Sequence, residues 1–539
     1  METLNNRLCR RKQMKKVLTL AVLATLLMTG SVFAQFGRHV VAEPNATFSF
    51  GVGGAAAGPS TTNNDDSCDI GVAPAATLLL PYFEVETAAR NVDTFFTVVN
   101  TSYLPQIAHV TVWTDWSMPV LDFNIFLTGY DVQSISLYDV IVNGIIAPTN
   151  PNLTAGGTSS STTPGSASAA NNANPNISLV GCTSLPGFIP ANLRAAIQAA
   201  LTDGTPASIL GCTTTARIGS PATTHPTSTT AVGYVTIDVT SACSTTLPNS
   251  ATYFTTEILF DNVFTGDYQV INKATGQNYT GANPLVHIRA VPEGGRAGNP
   301  LTGAQTNFPR TFYARFTNQA AAANTDRRQP LPTVWAARWI QGGTAGQNTN
   351  YKIWREGVTG LVTCSTASLN SALTIFEVVR FDARENPTTY TPGIIISPSV
   401  PASVTTDEAD KLATSSQSFP PLSTASTDDN GWMYLNLDFA SGNPSGLSDT
   451  TLHPTYDAVP QSWVTIEMTG TGSSAGLFGG EFDATWLGNG CSGAVGLSTI
   501  NGGATRIGPV GGVLVCPPGA AAANCTAGTA PYTGTNTTP

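Results

Sequence analysis

Between Leu78 and Asp139, apolar and polar residues alternate in five short runs: Leu78 to Val85, Thr94 to Val99, Ile107 to Thr114, Val120 to Leu127 and Gln133 to Asp139. In the third, Ala108, Val110 and Val112 alternate with His109, Thr111 and Trp113; in the fourth, Leu121, Phe123, Ile125 and Leu127 alternate with Asp122, Asn124 and Phe126. Alternate side chains of an extended chain point to opposite faces, so this period of two predicts strands with one dry face and one mostly wet face. Turn formers separate the runs: Asn100-Thr101-Ser102, Pro105, Pro119 and Gly129-Tyr130-Asp131. Short strands at this spacing, with no helical period between them, predict an all-β fold, an antiparallel β-sandwich of immunoglobulin-like or jelly-roll type.

Alternation resumes at Tyr234 to Val239, Phe254 to Phe260 and Val286 to Ala290. These runs read as continuations, so residues 68–300 form one β-sandwich with an insertion at 148–230 rich in Asn, Ser, Thr and Gly. The insertion carries one short helix, Pro190 to Leu201. Proline suits a helix start, Leu193, Ile197 and Leu201 recur at helical spacing, and Gly204 stops it. A second strand series fills 301–490, as a second sandwich or a continuation of the first: Thr311 to Thr317, Thr333 to Gln341, Tyr351 to Arg355, Leu373 to Asp382, Trp432 to Phe439, Ser462 to Met468 and Glu481 to Leu487. A polar loop, 398–430, interrupts it. The leader 35–67 and the tail 491–539 have too few large apolar groups to offset the entropy of ordering and read as flexible. There is no repeat of fixed period, which disfavours solenoids and propellers.

Residues 1–34 look like an export signal, with the true start at Met14: Met14-Lys15-Lys16 is basic, Val17 to Met28 is apolar, and Val32-Phe33-Ala34 precedes a cut at Gln35. The apolar run is shorter than the ~20 residues of a membrane span, so the mature chain is expected outside the cytoplasm, with no span of its own. Removing the leader takes six basic residues from 24 and one acid from 34, leaving 18 against 33 and a net charge near −15. That balance argues against nucleic acid and anionic membranes as partners. Only Lys273, Lys352 and Lys411 remain as lysines. Eight cysteines stay after the leader is lost: Cys68, Cys182, Cys212, Cys243, Cys364, Cys491, Cys516 and Cys525. An even number in an exported chain points to disulfides, and the spacing favours Cys182 with Cys212, and Cys491 with Cys516 or Cys525. No cysteine pair has zinc-site spacing.

Candidate chemistry is sparse. Gly472-Ser473-Ser474-Ala475-Gly476 fits a nucleophile elbow, but no histidine follows Ser474 and the next residues suggest a strand, so it reads as a hairpin turn. Glu481 with Asp483, or Glu377 with Asp382, could pair as a hydrolase would need; on strands such acids are usually solvated. Asp428-Asp429-Asn430, and Asp261-Asn262 with Asp267, offer oxygens but lack calcium-loop spacing and suit turns. No metal site, cofactor or catalytic residue is therefore assigned. The favoured binding candidates are Trp113, Asp115, Trp116 and Trp432, because aromatic faces beside hydrogen-bonding acids hold sugar rings.

Four phrases stand out together: Ala76-Thr77-Leu78-Leu79-Leu80-Pro81-Tyr82-Phe83, Phe123 to Val132, Gly431-Trp432-Met433-Tyr434-Leu435-Asn436-Leu437 and Trp486-Leu487-Gly488-Asn489-Gly490-Cys491. They resemble a family of exported bacterial β-rich proteins with no assigned activity, and the likeness implies export without supplying catalytic residues. The first strand block also resembles the immunoglobulin-like sandwiches of bacterial surface proteins. The expected role is structural or adhesive at the cell surface and non-catalytic. A carbohydrate-binding module is the first alternative, with glycans or other cell-surface components as partners, and a secreted glycoside hydrolase is the second.

Overall fold

The strand Thr77–Glu86 is buried along its whole length. Leu78 and Leu80 enter one apolar cluster, while Leu79 and Tyr82 enter another on the opposite face. The pairing register slips between Leu80 and Phe83, around Pro81, which has no N–H to give to a ladder. Beyond that bulge the faces exchange phase, so that Phe83 and Val85, not their even-numbered neighbours, rejoin the first cluster.

The computed structural model describes residues 73–146, 177, 188–290 except 214, 249, 251 and 274–278, and many segments between 311 and 486. Those segments are 311–313, 316, 326, 328–329, 331–342, 346–357, 364, 373–374, 377–385, 387–390, 405–413, 429–437, 461–471 and 477–486, with 514–515 and 526–527 beyond. The first part holds β1 (Thr77–Glu86), β2 (Val92–Asn100), β3 (Gln106–Trp113), β4 (Pro119–Leu127), β5 (Val132–Ser136), α1 (Ala191–Asp203), β6 (Thr230–Thr240), β7 (Phe264–Asn272), β8 (Tyr279–Pro284) and β9 (Val286–Ile288). The second holds β10 (Val334–Ile340), β11 (Asn348–Arg355), β12 (Leu373–Thr374), β13 (Glu377–Asp382), β14 (Pro387–Tyr390), β15 (Thr405–Thr406), β16 (Ala409–Ala413), β17 (Asn430–Asn436), β18 (Ser462–Thr471), β19 (Leu477–Asp483) and β20 (Thr485–Trp486).

Among the described residues these strands form four larger antiparallel sheets, in the orders β4-β3-β6-β1-β9, β5-β2-β7-β8, β14-β13-β17-β10-β20 and β16-β11-β18-β19. The chain is therefore all-β in its framework. Leu80, Val110, Val112, Phe123 and Val235 of the first sheet share one cluster with Phe96, Val98 and Val270 of the second. Leu79, Trp113 and Tyr234, from the other face of the first sheet, join Trp335, Trp339, Tyr351, Ile353 and Trp463 in the other cluster. The first sheet is thus covered on both sides, and the two strand series meet across it.

That double cover corrects the expectation of a wet face: His109, Thr111 and Trp113 are fully buried. Hydrogen bonds offset part of the cost of this burial, although His109 Nε2 and Thr111 Oγ1 have no hydrogen-bond partner. His109 Nδ1 lies 3.0 Å from Asn124 Oδ1, and Trp113 Nε1 donates to Thr236 Oγ1 at 2.9 Å. Asp238 accepts from Thr77, from the Tyr253 hydroxyl at 2.6 Å and from the Tyr313 hydroxyl at 2.7 Å, while the buried Arg328 Nε donates to Thr77. β2 keeps the expected half-buried alternation because its sheet has one open face.

The helix is close to expectation. α1 runs from Ala191 to Asp203, Pro190 caps it, Gly204 ends it in the left-handed region at φ 60°, and Ile197, Ala200 and Leu201 enter the first cluster. Elsewhere the sequence reading is corrected. Where a strand was expected over Phe254 to Phe260, Tyr253–Glu257 form a wide helical turn in which Thr256 Oγ1 donates back to the Thr252 carbonyl at 2.7 Å. Thr311 to Phe312 and Tyr313 is a turn tied to Asp326 and Arg328 rather than the start of a strand. The polar loop expected at 398–430 contains β15 and β16, and β7 and β8 had no counterpart in the pattern. Cys212 is joined to Cys364, 152 residues away, which overturns the local pairing with Cys182. Cys243 is also disulfide-bonded. Cys68, Cys182, Cys491, Cys516 and Cys525 lie outside the described residues, as do the leader, the proposed signal and Gly472 to Gly476.

Candidate functional site

The connection between β3 and β4 is a tight turn organised by one hydroxyl. Thr114 Oγ1 accepts from the Met118 amide at 3.1 Å and donates to the Ile218 carbonyl at 2.6 Å. The turn carries Asp115 and Trp116 against the end of the insertion. There the Ser220 amide donates to both Asp115 oxygens, at 3.0 and 3.3 Å. Gly219 permits this approach, since a Cβ there would stand 2.8 Å from Asp115 Oδ1. The Ser220 hydroxyl donates to Asp407 Oδ2 at 2.8 Å, and Trp116 Nε1 reaches both Ser220 Oγ at 3.1 Å and Asp407 Oδ1 at 3.3 Å. The Ala409 amide closes the arrangement on the Asp115 carbonyl at 3.1 Å. Residues about three hundred positions apart in the chain thus share one hydrogen-bonded node.

Beside this node lies a cavity of about 270 Å³, lined in part by Tyr82, Asp115, His225, Asn350, Asp407 and Asp410. Loss of water around Asp407, reinforced by the nearby Asp115 and Asp410 carboxylates, pushes its pKa up to about 8. Asp410 is raised to about 6, first by burial and then by Asp115. His225 Nδ1 lies 2.9 Å from the Thr230 carbonyl oxygen, an acceptor, so Nδ1 carries a proton. Its Nε2 then faces Asp115 Oδ2 at 3.7 Å and has no hydrogen-bond partner.

Lys411 also lines the cavity, but its ammonium is engaged by Glu84 at 3.1 Å and Glu467 at 3.0 Å. Lys352 meets Glu467 at 3.1 Å and also pairs with Glu481. Burial opposes the Glu467 charge, yet Lys411 and Lys352 outweigh it and hold the carboxyl well below the usual carboxylate range. Two of the three lysines outside the leader therefore sit in one buried ion network. Asp483 neighbours it and accepts from Trp463 Nε1 at 2.9 Å and Asn283 at 2.6 Å; burial raises it to about 6.

The four sugar-platform candidates do not form one surface. Trp113 is wholly buried and stacked on Tyr234 at 5.5 Å, so it presents no face to a ligand. Trp116 is buried against Ser220 and Asp407, and Asp115 belongs to the cavity. Trp432 stands apart, partly exposed, stacked on Phe381 at 4.1 Å and lining an open groove of about 700 Å³ with Met468, Phe482, Asp382, Glu385 and Asp429. Glu481 and Asp483, weighed as a catalytic pair, are absorbed in the ion network and its hydrogen bonds. Around the elbow-like sequence, Thr471 pairs with Leu477, and strand β19 follows where an elbow requires a helix. The Asn262 amide is engaged with Ala290, and among the described residues no three His, Cys, Asp or Glu side chains could hold a metal ion.

His225, Asp407 and Asp410 were not anticipated. The signal present was the acid-rich run Asp407-Glu408-Ala409-Asp410-Lys411 in a chain with only 11% charged residues, placed in a stretch read as loop. A scan against protein-family models finds no match, and comparison with curated proteins finds none either.

Proposed function

We propose that this chain is an exported, non-catalytic β-sandwich protein with an adhesive role, and that the groove at Trp432 is its contact surface, with saccharides as the class of ligand. The groove carries the proposal. It sets the partly exposed Trp432 and the exposed Phe482 beside Asp382, Glu385, Asp429 and Asn430, an apolar platform rimmed by groups that can fix hydroxyls. The strand layers behind it supply the rigidity that a contact surface needs, and the leader-like start supports export. Among the described residues no helix is long and apolar enough to cross a membrane.

The hydrolase alternative has one specific observation in its favour, the meeting of Asp115 and Asp407 at Ser220. A cavity of about 270 Å³ is nevertheless below the ~300–1,000 Å³ of ordinary small-ligand sites, and a glycosidic bond with a sugar on each side needs more room than that. The reading is tested on a glycan array with the wild type, Trp432→Ala and Phe482→Ala. Saturable binding weakened at least tenfold by Trp432→Ala is expected; no binding, or binding indifferent to both changes, removes the proposal.

A further inference from the structure

We propose that the cavity between Asp115, His225, Asp407 and Asp410 is a binding site for a small organic cation bearing a primary ammonium or guanidinium group. The wall is assembled from six places: the β3–β4 turn, the segment ahead of β6, β6 itself, β1, β11 and the stretch entering and forming β16. From the turn comes Asp115, from the second segment His225, from β1 Tyr82, and from the last Asp407, Asp410 and Lys411. Lys411 adds little free positive charge, because Glu84 and Glu467 hold it. Glu408 turns to Ser117 instead. What remains facing the space is an excess of carboxylate.

His225 supplies the independent pointer to a ligand. Its side chain is 4% exposed, Nδ1 is committed to the Thr230 carbonyl, and Nε2 is buried 3.7 Å from Asp115 Oδ2 with no hydrogen-bond partner. A buried polar atom stranded in this way is costly, so a guest that hydrogen-bonded to it would recover a real deficit. Three carboxyl groups, Asp115, Asp407 and Asp410, line this space, and the complementary guest is a donor with positive charge. A metal ion would need three ligands converging on one point, an arrangement not found among the described residues. A guanidinium or ammonium instead spreads its N–H groups and can meet acceptors dispersed around a wall. The volume, several times the ~30 Å³ of one water, admits a cation of a few heavy atoms.

Binding of such a guest would favour the ionised Asp407 and release its proton at neutral pH. The charged groups that set this titration are Asp115 and Asp410; Lys411, His225 and Tyr82 also face the cavity, and Glu84 and Glu467 hold Lys411.

The test is isothermal titration of the full mature chain with methylguanidinium and methylammonium, with neutral methylurea and Ca²⁺ as separate arms. An Arg-containing tripeptide amide distinguishes a free cation from a side chain offered by another protein. We expect saturable binding of at least one organic cation, none of methylurea, and proton release at pH 7 read from buffers of different ionisation enthalpy. Asp407→Asn should weaken binding tenfold or more at pH 8.5 and far less at pH 6, where the wild-type group is already neutral. Asp115→Asn should weaken it at both pH values. Equal binding of methylurea, binding of Ca²⁺ alone, no binding of either cation, or affinity indifferent to both substitutions overturns the proposal. Circular dichroism and the thermal midpoint of each variant verify folding, and Asp410→Asn replaces any variant that fails that check.

Discussion

Replacing Asp407 by asparagine should make the protein more stable in alkaline solution and leave it unchanged in acid. The folded protein holds the Asp407 carboxyl proton up to about pH 8, whereas the unfolded chain gives it up near pH 4. Between those values the folded state binds more protons than the unfolded one, so stability must fall as pH rises. The favourable contribution is complete below about pH 4 and lost as pH climbs through about 8. Four pH units correspond to a ceiling of roughly 5–6 kcal/mol, at ~1.4 kcal/mol per unit. Relaxation and water entry through the cavity mouth reduce that, and an effect of about 2–3 kcal/mol is expected at pH 9. Asparagine mimics the neutral acid: its carbonyl can accept from Trp116 Nε1 while its amide donates to the Ser220 hydroxyl. Urea unfolding at pH 5 and pH 9, followed by tryptophan fluorescence with disulfides intact, measures the difference. Asp410 and Asp483, both raised to about 6, push wild type and variant in the same direction, so the comparison isolates position 407. Equal stabilities at pH 9, or the same offset at pH 5, would refute the reasoning.

Lys352→Met should lower stability by about 3–5 kcal/mol, because it strands Glu467 and Glu481 in the interior with one cation where there were two. The urea midpoint reports this, and partial recovery on adding Glu481→Gln would assign the loss to the orphaned charge. Peptide mapping without reduction should recover Cys212 linked to Cys364, and Cys212→Ser should cost up to about 5 kcal/mol for so long a closed loop, commonly less. Recovery of Cys212 joined to Cys182 would contradict the fold described here.

Strand positions were readable wherever one side of a strand met water or its apolar residues were large. Runs such as Phe96 and Val98, or Phe123 and Ile125, carry the period of two in their own side chains. The same alternation misled at β3 and β6. His109, Thr111, Thr236 and Asp238 look like a solvent face, yet a second layer covers them, and hydrogen bonds replace the water at His109 Nδ1, Thr236 and Asp238. A pattern in one segment cannot report what another segment, two hundred residues on, lays over it. For the same reason Trp113 suggested a platform when it is a packing residue. The cavity was illegible because its acids come from a turn and from a polar stretch that acquires its strand only by pairing with β11, while its histidine comes from an insertion. The helix was legible because its start, stop and apolar stripe are all local.

The doubly covered sheet restricts where this chain can be divided. Severed near residue 300, the amino-terminal portion would keep its own fully paired strands but bare the faces of Leu79, Tyr82, Trp113 and Tyr234, and Asp238 would lose Arg328. The aromatic rings among them bring ~150–250 Å² each, enough together to form a patch that invites clumping. A fragment chosen by counting strands would thus be sticky, and whoever trims the molecule should retain both lengths.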